Sequence, residues 1–137
     1  GSADAAKDTQ AMKDSSISAV LSVCDPEDTP KYEANLGHIE HKIIDAQDAV
    51  SYKLSNHFEE AAHWIDEKLH KGNVLVHCMA GVSRSPSIII AYLIKFHKMD
   101  DKCGHTFVKA KRWFVKPNSA FLKQLAEYSG KQPHNTK

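Results

Sequence analysis

Between Gly72 and Pro86 the chain carries a short β-branched apolar run, Val74-Leu75-Val76, followed at once by a loop from His77 to Ser85. Three apolar residues are too few for a helix and suit a buried strand. Ser85-Pro86 opens a helix, because proline is tolerated in a helix's first turn. Upstream, Phe58, Ala61, Ala62, Ile65 and Leu69 recur at helical spacing after Ser55, which reads as an N-cap, and Gly72 stops the segment. Helix, central strand and helix in succession restrict the fold: strands separated by helices imply a largely parallel sheet flanked by helices. Ligands of such sheets bind beyond the carboxyl ends of the strands, so chemistry is to be sought in the loop after Val74–His77.

The rest of the chain fits that frame. Asp4 to Asp14 is polar and Ala-bearing, suited to a short helix, and Ile17 to Cys24 alternates as a buried strand that Asp25 to Pro30 ends. Gly37 to Ile44 gives a second, weaker strand, interrupted by His38, Glu40, His41 and Lys42. The helix from Ser85 is expected to run to about Met99, with two more over Cys103–Val115 and Asn118–Ser129. The 137 residues suit one α/β domain over residues 1–130, with a central sheet of about four to five strands and a polar tail at 131–137. Lys and Arg number 18 against 17 Asp and Glu, so no net basic field argues for nucleic acid or a membrane surface. The three cysteines, Cys24, Cys78 and Cys103, are odd in number and widely spaced, unlike a secreted disulfide framework. The reading is an intracellular protein, cytoplasmic or nuclear.

The segment His77-Cys78-Met79-Ala80-Gly81-Val82-Ser83-Arg84-Ser85 runs from strand end to helix start. Amides left unpaired at a helix start point one way and attract anions, and the helix dipole adds to this. Gly81 lets the loop curl around a tetrahedral anion, and the planar fork of Arg84 grips two of its oxygens. A cysteine in such a cradle ionises easily, since helix N-termini and cations lower thiol pKa from about 8.5 into the range of roughly 3.5–7.5. Cys78 is then a nucleophile for phosphoryl transfer through a covalent intermediate. A departing alkoxide or phenoxide needs a proton, so a carboxylic acid must come from another loop; Asp45 and Asp48 are the candidates.

These residues resemble the His-Cys-(five residues)-Arg-Ser signature of the cysteine-based protein tyrosine phosphatase superfamily. The apolar loop interior and Ser85-Pro86-Ser87 are similar specifically to the dual-specificity phosphatases, as are Leu54-Ser55 with Phe58-Glu59-Glu60-Ala61 and Lys116-Pro117-Asn118-Ser119-Ala120-Phe121. The resemblance covers nearly the whole chain. It implies that Cys78 attacks phosphorus, and that Arg84 and the backbone amides of Met79, Ala80, Gly81, Val82, Ser83 and Arg84 hold the phosphate oxygens. Ser85 donates to the sulfur, His77 orients the loop, and Asn118 braces it. Counting back from Leu54-Ser55, the family's general acid falls on Asp48, although Gln47 and Ala49 beside it depart from the usual pairing. Some relatives form a protective disulfide with a strand cysteine, for which Cys24 is the counterpart here; a buried packing cysteine is the competing reading.

The resemblance implies a phosphoprotein phosphatase hydrolysing phosphotyrosine and phosphoserine/threonine through a cysteinyl-phosphate. A dually phosphorylated kinase of the MAP-kinase type is a candidate partner, and no metal or organic cofactor is needed. The same chemistry on a phosphoinositide, RNA 5′-phosphate or glucan is the alternative, against which the apolar Met79, Ala80 and Val82 argue. A non-catalytic phosphoprotein-binding module is a third reading, opposed by the presence of both Cys78 and Arg84. Nine histidines make no zinc-protease spacing, and no Walker loop is present. Lys109, Lys111, Arg112 and Lys116 form a basic cluster that serves either a second substrate phosphate or only solvent. Gly1-Ser2 reads either as a cloning remnant or as the family's segment after a first strand, and no docking or targeting module is read.

Overall fold

The computed structural model describes Gln10, residues 16–25 and residues 39–132. The sequence-predicted helix over Asp4–Asp14 (Gln10 apart), the turn from Pro26 to Pro30 and the start of the second strand at Gly37-His38 lie outside the described residues. The elements are β1 (Ile17–Val23), β2 (Glu40–Ile44), a 3-10 turn (Leu54–His57), α1 (Phe58–Leu69), β3 (Asn73–His77), α2 (Arg84–Phe96), α3 (Asp101–Lys111) and α4 (Ser119–Gly130).

All described strands are parallel and lie in the order β2-β1-β3, with Ser22 paired to Ile43 on one side and to His77 on the other. Among the described residues three strands stand where four to five were expected. The middle place also belongs to β1 rather than to the Val74–Val76 strand. Burial explains this: Ala19 to Val23 are all buried, whereas β3 begins exposed at Asn73.

Alternation sends Leu21, Val23 and Val76 to the face that the helices cover. There they join Phe58, Ile88, Ile94, Phe121 and Leu125 in one core. Helix α2 runs through it, buried from Ser85 to Ile88 and again at Ile90, Ala91, Leu93 and Ile94. The opposite face carries a smaller cluster of Val20 and Ile39 with Ile17 and Leu75. Gly104 lets α3 approach α2 closely, since a Cβ there would sit 3.0 Å from Cγ2 of Ile90.

Several element ends differ from expectation for local reasons. Ser55 does not cap a helix; it lies inside the 3-10 turn, where its N–H donates to Oε1 of Gln124 on α4 at 2.9 Å. Helix α2 ends at Phe96, short of Met99, because Lys98 turns to φ 57° and the N–H groups of His97 and Met99 both return to the Leu93 carbonyl. Helix α3 begins earlier than Cys103, because Asp100 caps it by accepting the Cys103 N–H at 2.7 Å.

Candidate active site

The loop between β3 and α2 begins where a buried strand runs out and ends where a helix starts without a side-chain cap. Its tightest point is Gly81, whose φ of 74° lies in the region that L-residues avoid. Cys78 is only 2% exposed. Its Sγ lies 3.2 Å from the hydroxyl of Ser85, in the first turn of α2. Burial is the largest single influence on the thiol and resists its ionisation. The Ser85 hydroxyl, the N–H groups of Ser85 and Gly81 and the charge of Arg84 together outweigh it, so the pKa stands below that of an ordinary thiol.

Three loops are tied together around this sulfur. Arg84 donates from Nη1 to the carbonyl of Ala46 at 2.9 Å, joining the phosphate loop to the segment that follows β2. Lys116 donates its N–H to the Val82 carbonyl at 2.7 Å, and the Asn118 N–H donates to the Ser83 hydroxyl at 3.0 Å. The Asn118 side chain serves two further partners. Its Oδ1 accepts the Phe121 N–H at 2.9 Å and caps α4, while Nδ2 donates to Oδ1 of Asp48, also at 2.9 Å. Asn118 thus ties the loop through Ser83, caps α4 and holds Asp48. Asp45, the rival acid, instead has its backbone carbonyl accept from the Tyr52 hydroxyl at 2.9 Å.

His77 is fully buried on the sheet face away from the helices. Its Nδ1 lies 3.2 Å from the Cys78 carbonyl, an acceptor, so that nitrogen carries a proton. In the neutral ring Nε2 then accepts from the Ser22 hydroxyl at 2.6 Å, and the Ser22 oxygen accepts from Nε2 of His41 at 2.7 Å. Burial lowers the His41 pKa, which favours the neutral ring this chain uses. Ser22 and His41 were not singled out from sequence. Their only trace there is alternation that puts both on one sheet face. Cys24, at the carboxyl end of β1, is buried, as is Cys78, and its N–H donates to the Ile44 carbonyl at 3.2 Å. Among the described residues no three His, Cys, Asp or Glu side chains cluster as a metal site, and no helix is long and apolar enough to cross a membrane.

A thiol made acidic at the start of a helix, after a parallel strand, with a guanidinium and a tethered carboxyl around it, is the arrangement of the cysteine-based phosphatases. The family described as dual specificity phosphatase, catalytic domain, matches residues 1–131, and the chain belongs to it. It is 42% identical to human dual specificity protein phosphatase 5 over 97 residues, 70% of this chain and 25% of that protein. It is 41% identical to dual specificity protein phosphatase 22-A of Danio rerio over 117 residues, 85% of this chain and 54% of that protein. The chain therefore spans between a quarter and about half the length of these two relatives. The crystal structure of the Yvh1 phosphatase domain from Chaetomium thermophilum, 28% identical, superposes with a TM-score of 0.82 over 93% of this chain and 87% of that one.

Proposed function

We propose that the chain is a phosphoprotein phosphatase that removes phosphate from tyrosine and from serine or threonine through a cysteinyl-phosphate. The observation that carries this reading is the hydrogen-bonded pair Cys78–Ser85, at 3.2 Å, inside a loop whose amides, with Arg84, lower the thiol pKa. In the first step the Cys78 thiolate attacks phosphorus, the P–O bond to the leaving group breaks, and protonated Asp48 gives that oxygen its proton. Arg84 and the loop amides hold the equatorial phosphate oxygens through the transition state. In the second step the Asp48 carboxylate takes a proton from water, and the water oxygen attacks phosphorus. The S–P bond then breaks with its electron pair returning to sulfur, and the Ser85 hydroxyl stabilises the departing thiolate. The products are inorganic phosphate and the regenerated thiolate, with Asp48 protonated again.

The names of relatives such as dual specificity protein phosphatase 5 support protein substrates, as does a loop interior of Met79, Ala80 and Val82 that offers no extra cation to a highly charged small phosphate. The test offers purified protein a doubly phosphorylated Thr-x-Tyr peptide and a phosphoinositide panel, with Cys78→Ser as control. Release of both peptide phosphates, abolished in Cys78→Ser while peptide binding persists, is expected. Release from lipids alone would overturn the substrate class, and turnover by Cys78→Ser would overturn the mechanism.

A further inference from the structure

Beside the phosphate loop lies an apolar cavity of about 180 Å³, between α2, α3 and the turn that follows α3. Gly81 and Ser85, whose N–H groups donate to the Cys78 sulfur, form one wall, so the cavity lies against the phosphate loop. The other walls are apolar: Ile89 from α2, Phe107 from α3 and Val115 from the turn. The volume fits one ring or branched aliphatic group, given that an apolar cavity of about 150 Å³ takes up benzene. It does not hold a drug-sized ligand, which needs roughly 300 Å³ or more.

The rim is cationic. Lys111 and Arg112 line the opening and are exposed, and Nζ of Lys111 stands 5.5 Å over the Phe107 ring. Their surroundings reinforce one sign of charge. From Lys102 to Ala126 the chain carries Lys102, Lys109, Lys111, Arg112, Lys116 and Lys123 and no Asp or Glu, although the protein as a whole is nearly neutral. A half-open apolar slot with a positive rim is complementary to an apolar side chain that has an acidic neighbour.

We infer that this cavity is a specificity pocket for the phosphoprotein substrate. It takes one Leu- or Phe-sized side chain from the segment flanking the phosphorylated residue, while an acidic residue of the same segment meets Lys111 and Arg112. The inference rests on the proposed phosphoprotein activity. A fluid anionic bilayer also suits exposed Trp113 among cations, but it has no use for a slot of one side chain's volume.

The test is a set of phosphotyrosine peptides in a neutral Ala/Ser background, with Phe scanned over three positions on each side and Glu then scanned beside the best one. One register is expected to raise kcat/KM about tenfold, mainly through KM, and Glu to raise it severalfold more. Phe107→Ala should remove the gain from Phe, and Lys111→Glu with Arg112→Glu should remove the gain from Glu. Hydrolysis of p-nitrophenyl phosphate, which is too small to reach the pocket, should stay within about twofold in both variants. Peptide turnover without any register preference would overturn the pocket and leave the proposed activity standing. Hydrolysis of the aryl phosphate with no turnover of any peptide would overturn both. Loss of binding to phosphatidylserine vesicles in the charge-reversed protein, with peptide rates unchanged, would reassign the surface to lipid.

Discussion

Asn118 holds two things with one amide, and the two can be separated. Its Oδ1 caps α4 and its Nδ2 fixes Asp48, each at 2.9 Å. Replacement by alanine removes both, whereas aspartate keeps a good capping oxygen and removes only the donor. Loss of the cap costs about 1 kcal/mol, or a few degrees in melting temperature for a domain of this size. Loss of the donor frees the Asp48 carboxyl and costs about two- to tenfold in proton delivery, since a hydrogen bond to the neutral, proton-donating acid is worth about 0.5–1.5 kcal/mol. The ceiling is the roughly 10²–10⁴-fold contribution of general acid catalysis itself. The assay is kcat/KM over a series of aryl phosphates with increasingly basic leaving groups, beside thermal melts. Asn118→Ala should lower both stability and the rate on poor leaving groups. Asn118→Asp should lower only the rate, because a second carboxylate now faces Asp48 and repels it. Equal losses on good and poor leaving groups, or normal rates in Asn118→Asp, would refute the role of Asn118 in aiming the acid.

Four further outcomes follow from the same geometry. Asp48→Ala should steepen the dependence of kcat/KM on leaving-group basicity while Asp45→Ala leaves it unchanged; the reverse result would exchange the two carboxylates. The Cys78 pKa is lowered, so the rate of alkylation by iodoacetamide should rise to its plateau through a midpoint below the roughly 8.5 of a free thiol. Stability linked to this thiolate is present above the unfolded thiol's pKa and is lost as pH falls through the folded value. Ser85→Ala removes a donor to the sulfur, so the midpoint should move up towards the free-thiol value, and an unmoved midpoint would deny the Ser85 hydrogen bond its role. Ser22→Ala leaves buried His77 Nε2 without its partner hydroxyl and should cost about 1–3 kcal/mol in urea unfolding. A near-neutral result would show that the His41–Ser22–His77 chain does not hold the loop.

What the sequence makes legible is what lies close along it. Cys78, Gly81, Arg84 and Ser85 stand within one strand-loop-helix, and local rules suffice to read an anion cradle from them. Element ends are harder where the deciding residue is atypical: Lys98, not glycine, takes the left-handed turn after α2, so no sequence signal marks that stop. The strand order is harder still. Alternation assigns faces to β1, β2 and β3 but does not say that β1 lies in the middle, and the chain from His41 through Ser22 to His77 exists only in that order. The proposed acid, Asp48, is legible only through resemblance, because the contacts that hold its segment join residues 38 and 70 apart, Arg84 to Ala46 and Asn118 to Asp48. Reactivity in this site is thus encoded locally and its aim is encoded by packing. The same Arg84 that lowers the Cys78 pKa also grips the segment bearing Asp48, so the proposed nucleophile and the proposed acid share one guanidinium. A substitution of Arg84 should therefore lower phosphate affinity and misplace the proton donor together, which a loss confined to substrate binding would contradict.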